Sequence, residues 1–356
     1  MTTRRVRTGT CIMAATLLGL AGCLQIETTV TMEADGSATV TERVRVVKYL
    51  LDLDAHHKGS GPSLAQLLGR PAAEKRAAKM GGGVTLVSHK VGPAEKGSLE
   101  SITVFKRPEL DGLEYMSPLL AHHDYPNLNR IRFKVSGITK PGWWDRWDYG
   151  DILVQVQPLT AKGKVPSRLT DLKERPPAPT PKDVQTYRNL APVFRDLMKD
   201  FHVRLRFQTY GPTPVCIGFR GHTTGPRNAR AGVDFGDILS LSHADLDQFG
   251  GKFLENEEVM LGIVRGDLRV QAIVDAVKNG IRNNTVPLLI APGFGPYQGW
   301  SHHRVSFWFP PSRPLFDRYF KGKTLVPRHK DRKSFPARWE DIGYQPKHKK
   351  SETGTR

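Results

Sequence analysis

The chain has 356 residues, enough for one large domain or two ordinary ones with a real hydrophobic core. Its 53 Lys and Arg against 35 Asp and Glu give a net charge of +18. That balance favours anionic partners, namely phospholipid head groups, acidic glycans or nucleic acid, and the start of the chain decides among them.

The first ten residues carry Arg4, Arg5 and Arg7 and no acid, and an apolar run follows up to Cys23. This is the layout of a secretory signal. The run is about half the roughly 20 apolar residues that a membrane-spanning helix needs, and it stops at a cysteine followed by polar sequence. Arg4-Arg5 is not followed by an apolar pair at the spacing of a twin-arginine signal. The export this start implies argues against nucleic acid as a partner.

Leu20-Ala21-Gly22-Cys23 resembles the lipobox of bacterial lipoproteins. The resemblance implies cleavage before Cys23, a diacylglyceryl thioether on its sulfur and a further acyl chain on its amine, which together make anchoring stable. Residues 1–22 then form the signal peptide and the mature chain keeps a charge of +15, the three arginines having been removed. Leu24, where lipoproteins kept on the inner membrane resemble one another in having aspartate, points to the outer membrane of a two-membrane cell, on its periplasmic side. With Cys11 removed and Cys23 acylated, Cys216 is a lone thiol and is expected to be buried and inert.

Ile26, Thr28, Val30 and Met32 alternate with Glu27, Thr29, Thr31 and Glu33. After Asp35-Gly36 a second run places Ala38, Val40, Val44 and Val46 on one side, which reads as a β-hairpin. An Ala- and Lys-rich helix over 63–80 stops at Gly81-Gly82-Gly83, and strands follow over 84–91 and 99–105. This ββαββ order, with the Cys23-Leu24-Gln25 start and the strand and turn over 29–37, resembles the LppM-like envelope lipoproteins over residues 23–110. That resemblance implies an antiparallel α+β domain that binds lipid or glycolipid, with no catalytic residue to carry over.

Further strands are expected at Ile131, Phe133 and Val135, at 152–156, at Val203, Leu205 and Phe207, and at 305–309. Between them, 158–182 is proline-rich and reads as a linker or exposed loop. A domain boundary falls there, separating an N-terminal α+β domain (23–157) from a C-terminal one (183–320). Helices are expected in part of 183–200, over 268–281 behind an Asp267 cap, and after Ser242 with Asp245. Residues 321–356 hold eleven Lys and Arg against four Asp and Glu and read as a basic flexible tail, either solubilising or lying on anionic lipid. The fold class is α+β, a largely antiparallel sheet with a few helices.

Arg43, Arg45, Arg130, Arg132, Lys134, Arg204 and Arg206 fall on the polar side of alternating runs. If the strands share one sheet, they make a cationic platform for phosphate or carboxylate; the alternative is a solvated face whose charges discourage aggregation. Trp143, Trp144 and Trp147 cluster with Asp145 and Asp148 in a loop. It suits a sugar platform or a foot in the membrane interface when exposed, and a core plug when buried. The pairs His56-His57, His122-His123 and His302-His303 read as loop histidines. His122, His123 and Asp124 could serve a hydrolase, but the chain has no HExxH or similarly spaced set, and neither metal nor cofactor is expected. Gly293, Gly295 and Gly299 read as an ordered turn rather than a phosphate loop, because Pro292 and Pro296 remove amide donors. The reading is a membrane-anchored envelope lipoprotein, a non-enzymatic module for an anionic lipid, glycan or protein partner. The alternatives are an assembly lipoprotein with protein contacts only and an envelope hydrolase.

Overall fold

The alternation after Cys23 folds as a nine-residue hairpin, β1 (Leu24–Met32) paired antiparallel with β2 (Ala38–Val46) in unbroken register from Leu24↔Val46 to Met32↔Ala38. Its turn needs a positive φ at Gly36 (+88°), which glycine adopts without a Cβ clash. The Asp35 side chain accepts a hydrogen bond from the Ser37 amide at 2.8 Å, and Ser37, through its hydroxyl first and then this amide, holds the Asp35 carboxyl below its ordinary pKa. The computed structural model describes residues 24–48, 50–52, 63–116, 118, 130–140, 149–158, 180–182, 184–185, 188–189, 202–212, 214–217, 237–242, 305–327 and 333–346.

The helical region expected over 63–80 is two helices, α1 (Leu64–Leu67) and α2 (Arg70–Lys79). Ser63 and Gln66 form a reciprocal capping box on α1, and Gly69 caps α2 with Pro71 in its first turn. Proline has no amide hydrogen to continue a helix through, so it starts α2 rather than extending α1. β3 (Thr85–Pro93) and β4 (Leu99–Arg107) follow as expected, then β5 (Glu114–Met116), β6 (Arg130–Gly137) and β7 (Ile152–Pro158). Later come β8 (His202–Thr209), β9 (Val215–Ile217), β10 (Asp237–Ser242), β11 (Val305–Phe309) and α3 (Arg313–Tyr319). β12 (Thr324–Leu325), β13 (Phe335–Pro336) and α4 (Trp339–Ile342) complete the described chain.

The first sheet has six strands in the order β10-β8-β1-β2-β4-β3, antiparallel except where β8 runs parallel to β1. The second has five, β5-β6-β7-β11-β9, all antiparallel. Their inner faces share one core. Phe207 of the first sheet lies 4.8 Å from Phe307 and 6.5 Å from Phe133 of the second, ring centre to ring centre. The class is therefore α+β and largely antiparallel.

The boundary expected at 158–182 does not divide the described strands into separate sheets. β8 and β10 complete the sheet begun by β1 and β2, and β9 and β11 complete the one begun by β6 and β7. Proline-rich composition marks an exposed connection but says nothing about which strands meet on either side of it. In the basic C-terminal segment, Phe335, Ala337, Trp339 and Ile342 pack against the main core, so its few apolar residues attach residues 333–346 to the fold. The helix expected over 268–281, most of the one within 183–200 and the one after Ser242, which itself ends β10, lie outside the described residues. Among the described residues no helix is long and apolar enough to cross a membrane.

Candidate functional site

Strand alternation turns odd-numbered residues of β1 and β2 outward, and pairing aligns them in rows across the six-stranded sheet. One row reads Arg204, Glu27, Arg43, Ile102, Lys90; its neighbours read Arg206, Thr29, Thr41, Val104, Ser88 and His202, Gln25, Arg45, Glu100, Gly92. Four of the arginines expected on a platform, Arg43, Arg45, Arg204 and Arg206, thus share one outward face, on β2 and β8 either side of β1. Acids sit among them: Arg43 Nε donates to Glu100 at 2.8 Å, and Arg45 lies 3.6 Å from Glu95. Glu100, with Glu27 further off, raises the pKa of Arg43. Thr29, Thr31, Thr39 and Thr41 fill the face toward the β1–β2 turn. Exposed ion pairs contribute at most about 1 kcal/mol, so an incoming phosphate or carboxylate can take over a guanidinium at little cost.

Arg130, Arg132 and Lys134 do not join this platform. They lie on β6 of the second sheet, where Ile131, Phe133 and Val135 face the shared core. Because the two sheets bury their inner faces against each other, the exposed Arg132 and Lys134 point to the opposite side of the molecule. Arg132 is paired there with Glu114. The tryptophan loop with Trp143, Trp144 and Trp147, the histidine pairs with Asp124, and the glycines 293, 295 and 299 lie outside the described residues.

A second polar arrangement is buried under the platform. At one register level Leu205, Thr28, Glu42, Thr103 and His89 face inward across five strands. Glu42 is 1% exposed and Arg76 of α2 is 4% exposed; Arg76 donates to both Glu42 oxygens, Nη1 to Oε1 at 2.9 Å. The guanidinium also lies 5.3 Å from the centre of the Phe105 ring. Thr28 Oγ1 and Tyr115 Oη are 2.8 Å apart, a hydrogen bond between the two sheets, and burial pushes the Tyr115 hydroxyl pKa far up. His89 Nδ1 is 2.9 Å from Thr103 Oγ1. Burial first, and then the charges of Arg76 and Arg70, push His89 below its ordinary pKa, which favours its neutral form.

The cleft lined by Glu42, Arg76, His89, Ser101 and Thr103 has room for about one water molecule. It serves as a pin between helix and sheet rather than as a substrate pocket. Two sequence signals mark it: Glu42 stands on the apolar side of its strand, and Arg76 falls among Ala72, Ala73, Ala77 and Met80 on the buried side of its helix. Among the described residues no three His, Cys, Asp or Glu side chains converge as metal ligands.

The fold and its surfaces define a two-sheet α+β protein with an arginine-bearing outer face on its six-stranded sheet and an ionic pin inside. Compared with models of known families, with curated proteins and with solved structures, the chain matches none.

Proposed function

We propose that this is an exported, lipid-anchored envelope protein that acts without catalysis, binding a phosphate- or carboxylate-bearing partner on the outer face of its six-stranded sheet. The observation that carries the reading is the placement of Arg43 and Arg45 on β2 and of Arg204 and Arg206 on β8, on one outward face on either side of β1. The β2 and β8 arginines stand two strand spacings apart, about 9.6 Å, on either side of β1, a separation that suits guanidinium contacts to successive anionic groups of an extended ligand. The threonine hydroxyls beside them can donate to the same ligand.

The test is titration of the purified protein with monomeric short-chain phosphatidylglycerol and with an oligouronate, with phosphatidylcholine of equal chain length as the neutral control. Arg43→Gln combined with Arg204→Gln is expected to weaken anion binding by about tenfold, at roughly 1 kcal/mol or less per lost charged contact. Arg132→Gln with Lys134→Gln, on the opposite sheet, is expected to leave it unchanged. Equal losses from the two pairs, or none from the first, would refute the assignment of the face.

An assembly role finds support in one further feature. Val87 and Val91, 59% and 42% exposed, lie on the edge strand β3, along which a protein partner could pair. The residues of the hydrolase alternative, His122, His123 and Asp124, lie outside the described residues.

A further inference from the structure

The geometry points to a fixed orientation on the membrane: the domain stands on the surface of an anionic phospholipid bilayer by the residue-24 end of its six-stranded sheet, with the β1–β2 turn pointing away. This rests on the anchored reading above. Leu24 is already buried and paired with Val46, and Gln25, the next residue, is bonded to strands on both sides. An acyl-bearing Cys23 therefore has no spacer between its sulfur and the sheet. One residue spans about 3.8 Å, so the first strand must begin at the level where the acyl chains enter the bilayer.

The surface at that end suits such a neighbour. A small apolar cluster, separate from the main core, gathers Leu24, Ile26, Val44, Val46, Leu50 and Leu68, and its outer members Val47, Leu51, Leu64 and Leu99 are only partly buried. Lys48 and Lys96 are exposed beside it, the Lys48 stem lying along the turn at Gly97. A lysine whose stem crosses apolar surface reaches head-group phosphates naturally, each contact adding on the order of 1 kcal/mol, while the exposed Asp52 and Glu95 limit the total. The opposite end of the sheet is closed by protein: Ser312, which caps α3, donates to the Ala34 carbonyl, and Arg318 of α3 to that of Asp35. Nine strand residues separate the two ends by about 27 Å. In this stance the arginine face looks along the membrane plane, toward partners in the envelope and not toward the bilayer that holds the anchor.

The test uses the acylated full-length protein carrying Cys216→Ala, with a fluorophore on either Ala65→Cys, exposed on α1 at the residue-24 end, or Ala34→Cys, exposed in the β1–β2 turn. Each is reconstituted into vesicles of phosphatidylglycerol and phosphatidylethanolamine that contain a lipid with a nitroxide at head-group level. Quenching at position 65 is expected to exceed that at position 34 several-fold. Equal quenching, or the reverse order, on protein whose mass includes the acyl chains would overturn the orientation while leaving the anchor standing. Protein without acyl mass that does not stay on the vesicles would overturn the anchored reading itself.

Discussion

Replacing Arg76 by methionine removes the partner of a carboxylate that is 1% exposed and leaves the charge of Glu42 buried opposite Phe105 and Ala73. Breaking a buried pair from one side costs about 3–5 kcal/mol, whereas replacing both ions by apolar groups of similar volume is often neutral or stabilising. Arg76→Met alone, and Glu42→Leu alone, are therefore each expected to lower Tm by the order of 10 °C, at roughly 2–4 °C per kcal/mol for a fold of this size. The double variant is expected to recover most of that loss. Urea denaturation of the four proteins closes the cycle, and a coupling of about 2 kcal/mol or more is expected between the two sites. Single variants that each cost under 1 kcal/mol, or a double variant whose loss is the sum of the two, would refute the pin between α2 and the sheet. Anion binding to the outer face should be unchanged in the double variant, since neither residue reaches that face.

Three further outcomes follow from named contacts. His89 faces Arg76, Arg70 and Glu74 of α2 and the Thr103 hydroxyl of β4, and its pKa in the folded protein is depressed. The unfolded chain therefore takes up the proton first, near pH 6.5, and the stability His89 contributes above that pH is lost as pH falls. His89→Asn should flatten the stability profile below about pH 6.5 in urea titrations, and an unchanged slope would contradict the assignment. Gly150 has φ +99°, and a Cβ there would collide with Ile342 of α4, so Gly150→Ala should cost about 1–3 kcal/mol and speed proteolysis after Arg338. Phe207 stacks among Phe133, Phe307 and Phe309 where the sheets meet, and Phe207→Ala should cost about 3–5 kcal/mol in denaturant unfolding.

Strands with a clean period of two, β1, β2, β4, β6, β7 and β8, could be read from sequence because each buries one face and exposes the other. β5 and β9, three residues each, are too short to show a period. α3 carries a start signal in Ser312 and Pro314, but its seven residues hold too few turns for an apolar stripe to stand out. Partner choice was the part that alternation does not encode. Nothing local tells β8 to lie parallel to β1, or β11 to pair with β7, and so composition alone placed a boundary between strands that belong together.

The same gap governed the platform. Alternation put Arg43, Arg132 and Arg204 on polar faces correctly, yet only the pairing shows that Arg43 and Arg204 flank Glu27 while Arg132 looks the other way. The sequence reading passed over the ionic pin, although its two charges stand out of place, Glu42 in an apolar strand face and Arg76 in an alanine stripe; their meaning appears only when helix and sheet are brought together.

Anchoring is the premise on which both the partner class and the orientation depend. The direct test is the intact mass of the protein purified from the envelope of its own cells, beside a Cys23→Ser variant. A chain beginning at Cys23 with the added mass of a diacylglyceryl group and a further acyl chain, absent from the variant, is the expected result. A protein that keeps residues 1–22, or begins near residue 23 with no added mass, would contradict the account.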